Sequence, residues 1–268
     1  MKNKRIVFFT KDSLETKVLA HELNKQFELA AIVIQEKKEK KKQKFIIRFL
    51  QKTIGKKVLE QILIFRKEKS ERQILQTEFR LKKEATKFLE RELQKFMVRG
   101  WPSVPILRTS DINSNSVDES IKALNPALIV VWGTGIIRKN IIEIPAQGII
   151  NAHTSILPEY RGNFVEFWQC LNNDYEHAGV TYHFINELID EGDVIAAEKY
   201  TGAKPTNPYA LRNANLLSII SSYPRIVGNV LSGNFKRIKQ ETKNSKTFTF
   251  RQITIDAKKL LFARQKLL

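Results

Sequence analysis

Residues 5–34 read RIVFFTKDSLETKVLAHELNKQFELAAIVI, and this stretch sets the architecture. Residues 5–9 are a β-branched and aromatic run of strand length that stops at the polar turn Lys11-Asp12. Leu14, Val18, Leu19 and Leu23 then recur at helical spacing, with Asp12 and Glu15 three apart as in a capping box. Residues 29–34 are a second apolar run. Strand, helix and strand in this order predict a parallel pair joined by a right-handed crossover.

The alternation resumes beyond residue 100. Residues 104–107 and 127–132 read as strands with a helix at 117–124 between them, and Gly133-Thr134-Gly135 follows the second strand at once. Residues 148–151, 178–185 and 194–200 read as further strands. Residues 210–231 read as a helix that Pro224 is expected to kink or divide. From residue 233 the chain is polar and basic. Residues 36–100 break the theme, with no Pro and Gly55 as the one internal Gly. Phe45, Ile46, Phe49 and Leu50, then Val58, Leu59, Ile62 and Leu63, then Phe79, Phe88, Leu89 and Leu93 make apolar stripes among charges. Two or three amphipathic helices are predicted there.

A chain of 268 residues with 42% apolar and 28% charged residues is globular in composition. The apolar start at residues 6–9 is cut off by Thr10, Lys11 and Asp12, too early for a secretory core, and no stretch approaches a membrane span. A single cysteine, Cys170, excludes an internal disulfide framework and a Cys-based zinc site. The cytoplasm is the expected compartment. The net charge is +18, yet residues 36–100 hold 21 Lys and Arg against 9 Asp and Glu, so 12 of the 18 charges belong to that segment. It is either a set of lysine-rich solvated helix faces or a surface for an anionic carrier, a membrane or another partner.

The chemistry-bearing stretch is Gly148-Ile149-Ile150-Asn151-Ala152-His153-Thr154-Ser155-Ile156-Leu157-Pro158-Glu159-Tyr160-Arg161-Gly162. A strand delivers Asn151 and His153 at alternate positions, so both side chains leave one face. The carboxyl ends of strands in an open α/β sheet are where ligands sit. Two further pieces follow: Gly179-Val180-Thr181-Tyr182-His183-Phe184, and Leu188-Ile189-Asp190-Glu191-Gly192-Asp193-Val194-Ile195. Singly, Asn-x-His and Asp-x-Gly are common. His183 reads as a structural member of its strand, and Phe164, Phe167, Trp168 and Cys170, at helical spacing, read as core.

Taken in order, the set Asn-x-His-x-Ser-x-Leu-Pro-x-x-Arg-Gly, Gly-x-Thr-x-His and Asp-x-Gly-x-x-Ile resembles the folate-dependent formyltransferases. The resemblance covers residues 127–200, extends as strand order to 1–35, and fails over 36–100. It implies an α/β fold with a Rossmann-like, doubly wound, mostly parallel sheet, to which the residue pattern adds an inserted basic helical segment and a short C-terminal helical tail. The expected organisation is a catalytic domain over 1–200 with an insertion at 36–100, then a helical extension over 201–268. The co-substrate the resemblance implies is 10-formyltetrahydrofolate, with no metal. Asn151, His153 and Asp190 take the catalytic positions. Trp132, Gly133, Thr134, Gly135 and Ile136, with Ile185, Asn186, Glu187, Leu188 and Ile189, fall where relatives hold the pterin. Arg161, Gly162 and Thr10 are candidates to meet the acceptor. The chemistry fits these residue types, because formyl transfer to an amine develops an oxyanion that an amide and an imidazole can stabilise. A carboxylate beside them can manage the amine proton. Cys170 is not a candidate nucleophile, since direct transfer needs no covalent enzyme intermediate.

Departures from individual relatives narrow the acceptor. The turn Thr10-Lys11-Asp12-Ser13 lacks the glycines with which phosphoribosylglycinamide enzymes cradle phosphate. The 68 residues after Tyr200 read as helix plus tail, so the RNA-holding β-barrel of methionyl-tRNA formyltransferases is not expected. A regulatory module of the formyltetrahydrofolate hydrolase kind is not expected before Arg5. A primary amine on a nucleotide- or lipid-linked amino sugar is the expected acceptor. An RNA-directed enzyme and a non-enzymatic scaffold are the alternatives.

Overall fold

A computed structural model of the chain describes residues 4–36, 68–243 and 245–268. Strand β1 (Arg5–Thr10), helix α1 (Leu14–Gln26) and strand β2 (Glu28–Gln35) form the anticipated unit, with β1 and β2 parallel. The cap of α1 is Ser13 and not Asp12. The Ser13 backbone N–H donates to Thr16 Oγ1 at 3.3 Å, while the Asp12 carboxylate takes Lys17 and Arg108, each at 2.9 Å. With its carboxylate engaged by two cations, Asp12 is not the residue that caps the helix.

Of the stripes expected in 36–100, those at Phe45–Leu50 and Val58–Leu63 lie outside the described residues. The described part holds one helix, α2 (Lys69–Gln94). It packs through Ile74, Leu81 and Leu93, while Phe88, expected in the stripe, is 43% exposed. Strand β3 (Ile106–Thr109), helix α3 (Asn115–Leu124), strand β4 (Leu128–Trp132), helix α4 (Lys139–Ile142) and strand β5 (Ile149–His153) continue the alternation. Then come strand β6 (Tyr160–Gly162), helix α5 (Val165–Asn172), strand β7 (Gly179–Phe184) and strand β8 (Val194–Lys199).

The main sheet has seven strands in the order β3-β2-β1-β4-β5-β7-β8. Pairing is parallel from β3 through β5 and antiparallel on both sides of β7, so the sheet is mostly parallel. Successive side chains of a strand point to opposite faces. Ile6 and Phe8 accordingly join a core with α1, and Val7 and Phe9 a second core with Val117 and Ile121 of α3.

Helix α6 (Pro208–Ser232) is one continuous helix of 25 residues with Pro224 inside it, so of the kink or division expected there, division does not occur. A proline inside a helix costs about 3 kcal/mol, but each fully buried large apolar side chain contributes about 1.5–3 kcal/mol. Ile219, Ile220, Tyr223, Ile226 and Val227 are all at most 2% exposed around it, so packing wins. The Tyr223 hydroxyl lies 2.8 Å from Ile150 O and 3.0 Å from Val131 O, which ties α6 to β4 and β5.

The region after Ser232 is more than a helical tail. Strand β9 (Lys246–Phe248) pairs with β6 in a two-stranded sheet, and a 3-10 turn (Phe250–Gln252) leads to helix α7 (Ile255–Arg264). Three residues of strand among polar neighbours carry no periodic signal, and it is Gly162 on β6 that permits the pairing. A Cβ there would sit 2.1 Å from Phe248 O. No helix among the described residues is long and apolar enough to cross a membrane.

Candidate active site

Strand order reverses between β1 and β4, which opens a crevice beyond their carboxyl ends. The Thr10 hydroxyl closes the two strand ends together by donating to Trp132 O at 2.8 Å. The next residues, Lys11 and Gly133, line a cavity of about 470 Å³. Gly133 has a φ of +80°, a conformation costly for any residue with a Cβ. Beyond it, the Gly135 N–H donates to Gln35 Oε1 at 2.6 Å, which holds the glycine loop against β2.

Strand β5 presents Asn151 and His153 to this cavity, as their alternate spacing predicted. The antiparallel register sets His183 of β7 opposite Asn151. Carbonyl oxygens only accept hydrogen bonds, so the donor nitrogens of both rings follow from their partners. His183 Nδ1 donates to Phe184 O at 2.9 Å, and His153 Nε2 donates to Tyr160 O at 2.7 Å. The other nitrogen of each ring faces Asp190: His183 Nε2 is 3.6 Å from Oδ1, and His153 Nδ1 is 3.6 Å from Oδ2. Asn151 Nδ2 lies 3.2 Å from His183 Nε2, and with that nitrogen unprotonated the amide donates to it.

Asp190 is held by backbone geometry. Its φ is +54°, and its Oδ2 accepts the Gly162 N–H at 2.8 Å. Two residues on, a Cβ at Gly192 would stand 1.8 Å from Phe184 O, so the returning loop lies against the end of β7 as only glycine allows. The Asp-x-Gly spacing is thus a close backbone approach that brings the carboxylate to both imidazoles. Burial pushes the Asp190 carboxyl up, but His153, His183, the Gly162 N–H and Arg161 together hold it below its ordinary value. Burial pushes His183 below the usual histidine value despite the opposing pull of Asp190. The cluster therefore pairs an ionised carboxylate with a neutral His183 near neutrality.

Every residue of 132–136 and 185–189 lines the cavity except Glu187, whose side chain is exposed. Ile136, Leu188 and Ile189, exposed by 64%, 61% and 44%, put three large apolar side chains on its wall. Gly162 lines the cavity as well. Arg161 does not: it bonds the Glu191 carboxylate and lies 3.4 Å from Ile189 O, which braces the loop carrying Asp190. Thr10 is fully buried and spends its hydroxyl on Trp132 O. Lys11, the next residue, is the one in the cavity.

Other lining residues had no signal in the sequence. Arg212 comes from α6 and Phe250 from the 3-10 turn, so the fold alone brings them there. Phe164, read as core, caps α5 with a φ of +51° and faces the cavity. His183 was legible as a motif position but not as a partner of Asn151, because that contact depends on cross-strand register. Cys170 is buried, and burial pushes its thiol up to about 12, far from a thiolate at neutral pH. His21 bonds Gly100 O at 3.1 Å and His177 bonds Asp174 at 2.8 Å, both away from the cavity. Among the described residues no group of three or more His, Cys, Asp and Glu side chains is arranged to hold a metal ion.

Residues 4–207 match the family model described as formyl transferase. A methionyl-tRNA formyltransferase of Desulforamulus reducens is 39% identical over 93 residues, which are 34% of this chain and 29% of that protein. The match thus spans less than a third of that relative's length. Glycinamide ribonucleotide transformylase 1 from Symbiobacterium toebii superposes with a TM-score of 0.56 at 16% identity, covering 89% of this chain and 95% of that one. An N-formyltransferase from Helicobacter canadensis, solved with folinic acid and dTDP-3-aminofucose, superposes with a TM-score of 0.57 at 15% identity, covering 96% and 80%. At such identities the two structures show a shared fold.

Proposed function

The chain belongs to the formyl transferase family, and on that premise we propose that it moves a formyl group from 10-formyltetrahydrofolate to the primary amine of an amino sugar carried on a nucleotide or lipid. The observation that carries the reading is the convergence of Asn151, His153 and Asp190 on one cavity, with His153 Nδ1 3.6 Å from Asp190 Oδ2. The apolar wall of Ile136, Leu188 and Ile189 beside the backbone of Gly133 and Gly135 suits a flat pterin ring. The folate supplies the activated formyl group; the chain's own residues supply the rest.

Attack of the amine on the formyl carbon builds negative charge on the formyl oxygen. One N–H of the Asn151 amide is spent on His183, which fixes the plane of the amide and leaves its second N–H for that oxygen. A donor positioned in this way is typically worth about 3 kcal/mol of barrier. His153 turns Nδ1 toward Asp190, so the carboxylate holds the ring in place beside the reacting carbon. Asp190 also accepts the proton that the attacking amine sheds, directly or through one water.

The test is formyl transfer from 10-formyltetrahydrofolate to a panel of nucleotide-linked amino sugars, with methionyl-tRNA as the comparison. Turnover on a sugar supports the reading. Turnover on methionyl-tRNA alone would replace it with an RNA-directed enzyme, and no consumption of donor under any condition would leave a scaffold.

A further inference from the structure

Beyond α6 the chain returns across the loop that carries Asp190, and its residues meet that loop one after another. Phe235 and Arg237 lie on the Phe184 ring at the end of β7, with ring centroids 5.6 Å apart and the guanidinium 3.8 Å from the centroid. Ile238 and Val194 exchange both backbone hydrogen bonds, at 2.8 and 2.9 Å. The Thr242 hydroxyl donates to Glu191 Oε2 at 3.2 Å. Between them, Gln240 Nε2 donates to Asp190 O at 3.0 Å and to Gly192 O at 2.6 Å. Of these contacts, the Gln240 pair is the one that reaches residue 190 itself. Gln240 lies past residues 4–207, which the family model matches, and it does not line the catalytic cavity.

We infer that Gln240 is a positioning residue, holding the backbone of residues 190–192 so that the Asp190 carboxylate stays within 3.6 Å of both imidazoles. The inference rests on the formyl-transfer reading of the cavity. A left-handed backbone such as that of Asp190, with a φ of +54°, persists at a residue with a Cβ only where its surroundings hold it. The Gly162 N–H holds the end of the side chain at 2.8 Å, and Gln240 holds the peptide at its root. Both partners of Gln240 are carbonyl oxygens, so its amide must present the NH2 group to them. Its Oε1 is then buried without a hydrogen bond among the described residues, an unfavourable arrangement that the two donated bonds offset. The Arg161 contacts, by contrast, go to Ile189 O and the Glu191 side chain, on either side of Asp190.

Gln240→Met keeps the length of the side chain and removes both donors; Gln240→Ala is the second variant, should the thioether repack. In the full chain, the Gly162 amide proton reports on the carboxylate directly by NMR, because its hydrogen bond ends on Asp190 Oδ2. The expected result in either variant is an upfield shift of that resonance and faster exchange, with formyl transfer down by about 10² through a misplaced carboxylate. In the Asp190→Asn background the same change costs about twofold at most, because a residue that acts through the carboxylate has nothing left to place. A Gly162 resonance unmoved in both variants, turnover equal to that of the wild type, or a loss in the double variant as large as in the single one would each overturn the inference. A wild-type chain that transfers no formyl group refutes the reaction, and the Gly162 resonance alone then decides whether Gln240 places the carboxylate.

Discussion

Asp190 serves two imidazoles with its two oxygens, one 3.6 Å from each ring. Replacing it by Asn keeps the shape and the Gly162 contact but removes the charge. Formyl transfer by Asp190→Asn is expected to fall by about 10²–10⁴, measured as steady-state turnover, with the melting temperature little changed. His183 gives a pH signature. The folded protein keeps this ring neutral to lower pH than the unfolded chain does, so on acidification the unfolded chain binds the proton first. Stability is therefore complete well above about pH 6.5 and declines below it, with the lowered Asp190 adding its own loss below about pH 4. Thermal melts between pH 7.5 and 5.5 should show a falling midpoint in the wild type and a flatter profile in His183→Gln; equal slopes would count against the assignment. At this scale the sequence was legible where residues alternate along one strand, as Asn151 and His153 do. It was silent where the partner lies 32 positions away across an antiparallel register, as His183 does.

At the scale of elements, the loop between β7 and β8 is specified by a close backbone approach. Phe184 N donates to Asp193 O at 2.9 Å while the Gly192 backbone presses on Phe184 O. Adding a methyl at Gly192 forces the loop off the strand, so Gly192→Ala should destabilise by about 1–3 kcal/mol in urea unfolding. Its turnover should fall as well, because the same displacement carries Asp190 away from His153. The β-α-β start, the central strands and their order of appearance were legible because their periodicity is strong and their ends are marked by turn residues. Pro224 does not divide α6 because local propensity is a few kcal/mol and the buried face of the helix outweighs it. Strand β9 was invisible because three residues carry no period, and its pairing depends on a glycine 86 positions earlier in the chain.

For the whole molecule, the insertion and the chain's last helix meet at Glu78. Its carboxylate takes Lys258 from α7, Lys82 from its own helix and the Tyr209 hydroxyl from α6. Burial pushes this carboxyl up, but the two lysines more than offset it and hold it below its ordinary value. Glu78→Ala leaves Lys258, 19% exposed, without that partner, while the more exposed Lys82 turns to water. A cost of about 1–3 kcal/mol is expected, with faster amide exchange confined to α2 and α7 as the measurement. The sequence showed that most of the positive charge sits in 36–100, but not that its second half docks back on the domain as one helix. Lengthening between β2 and β3 and the segment beyond α6 looked like two unrelated appendages, since nothing local relates positions 180 apart. Sharing one acidic group makes them a single mechanical unit. Removing α7 would take Lys258 from Glu78 and slacken α2, and through Tyr209 the change would reach the turn of α6 that carries Arg212 into the cavity wall.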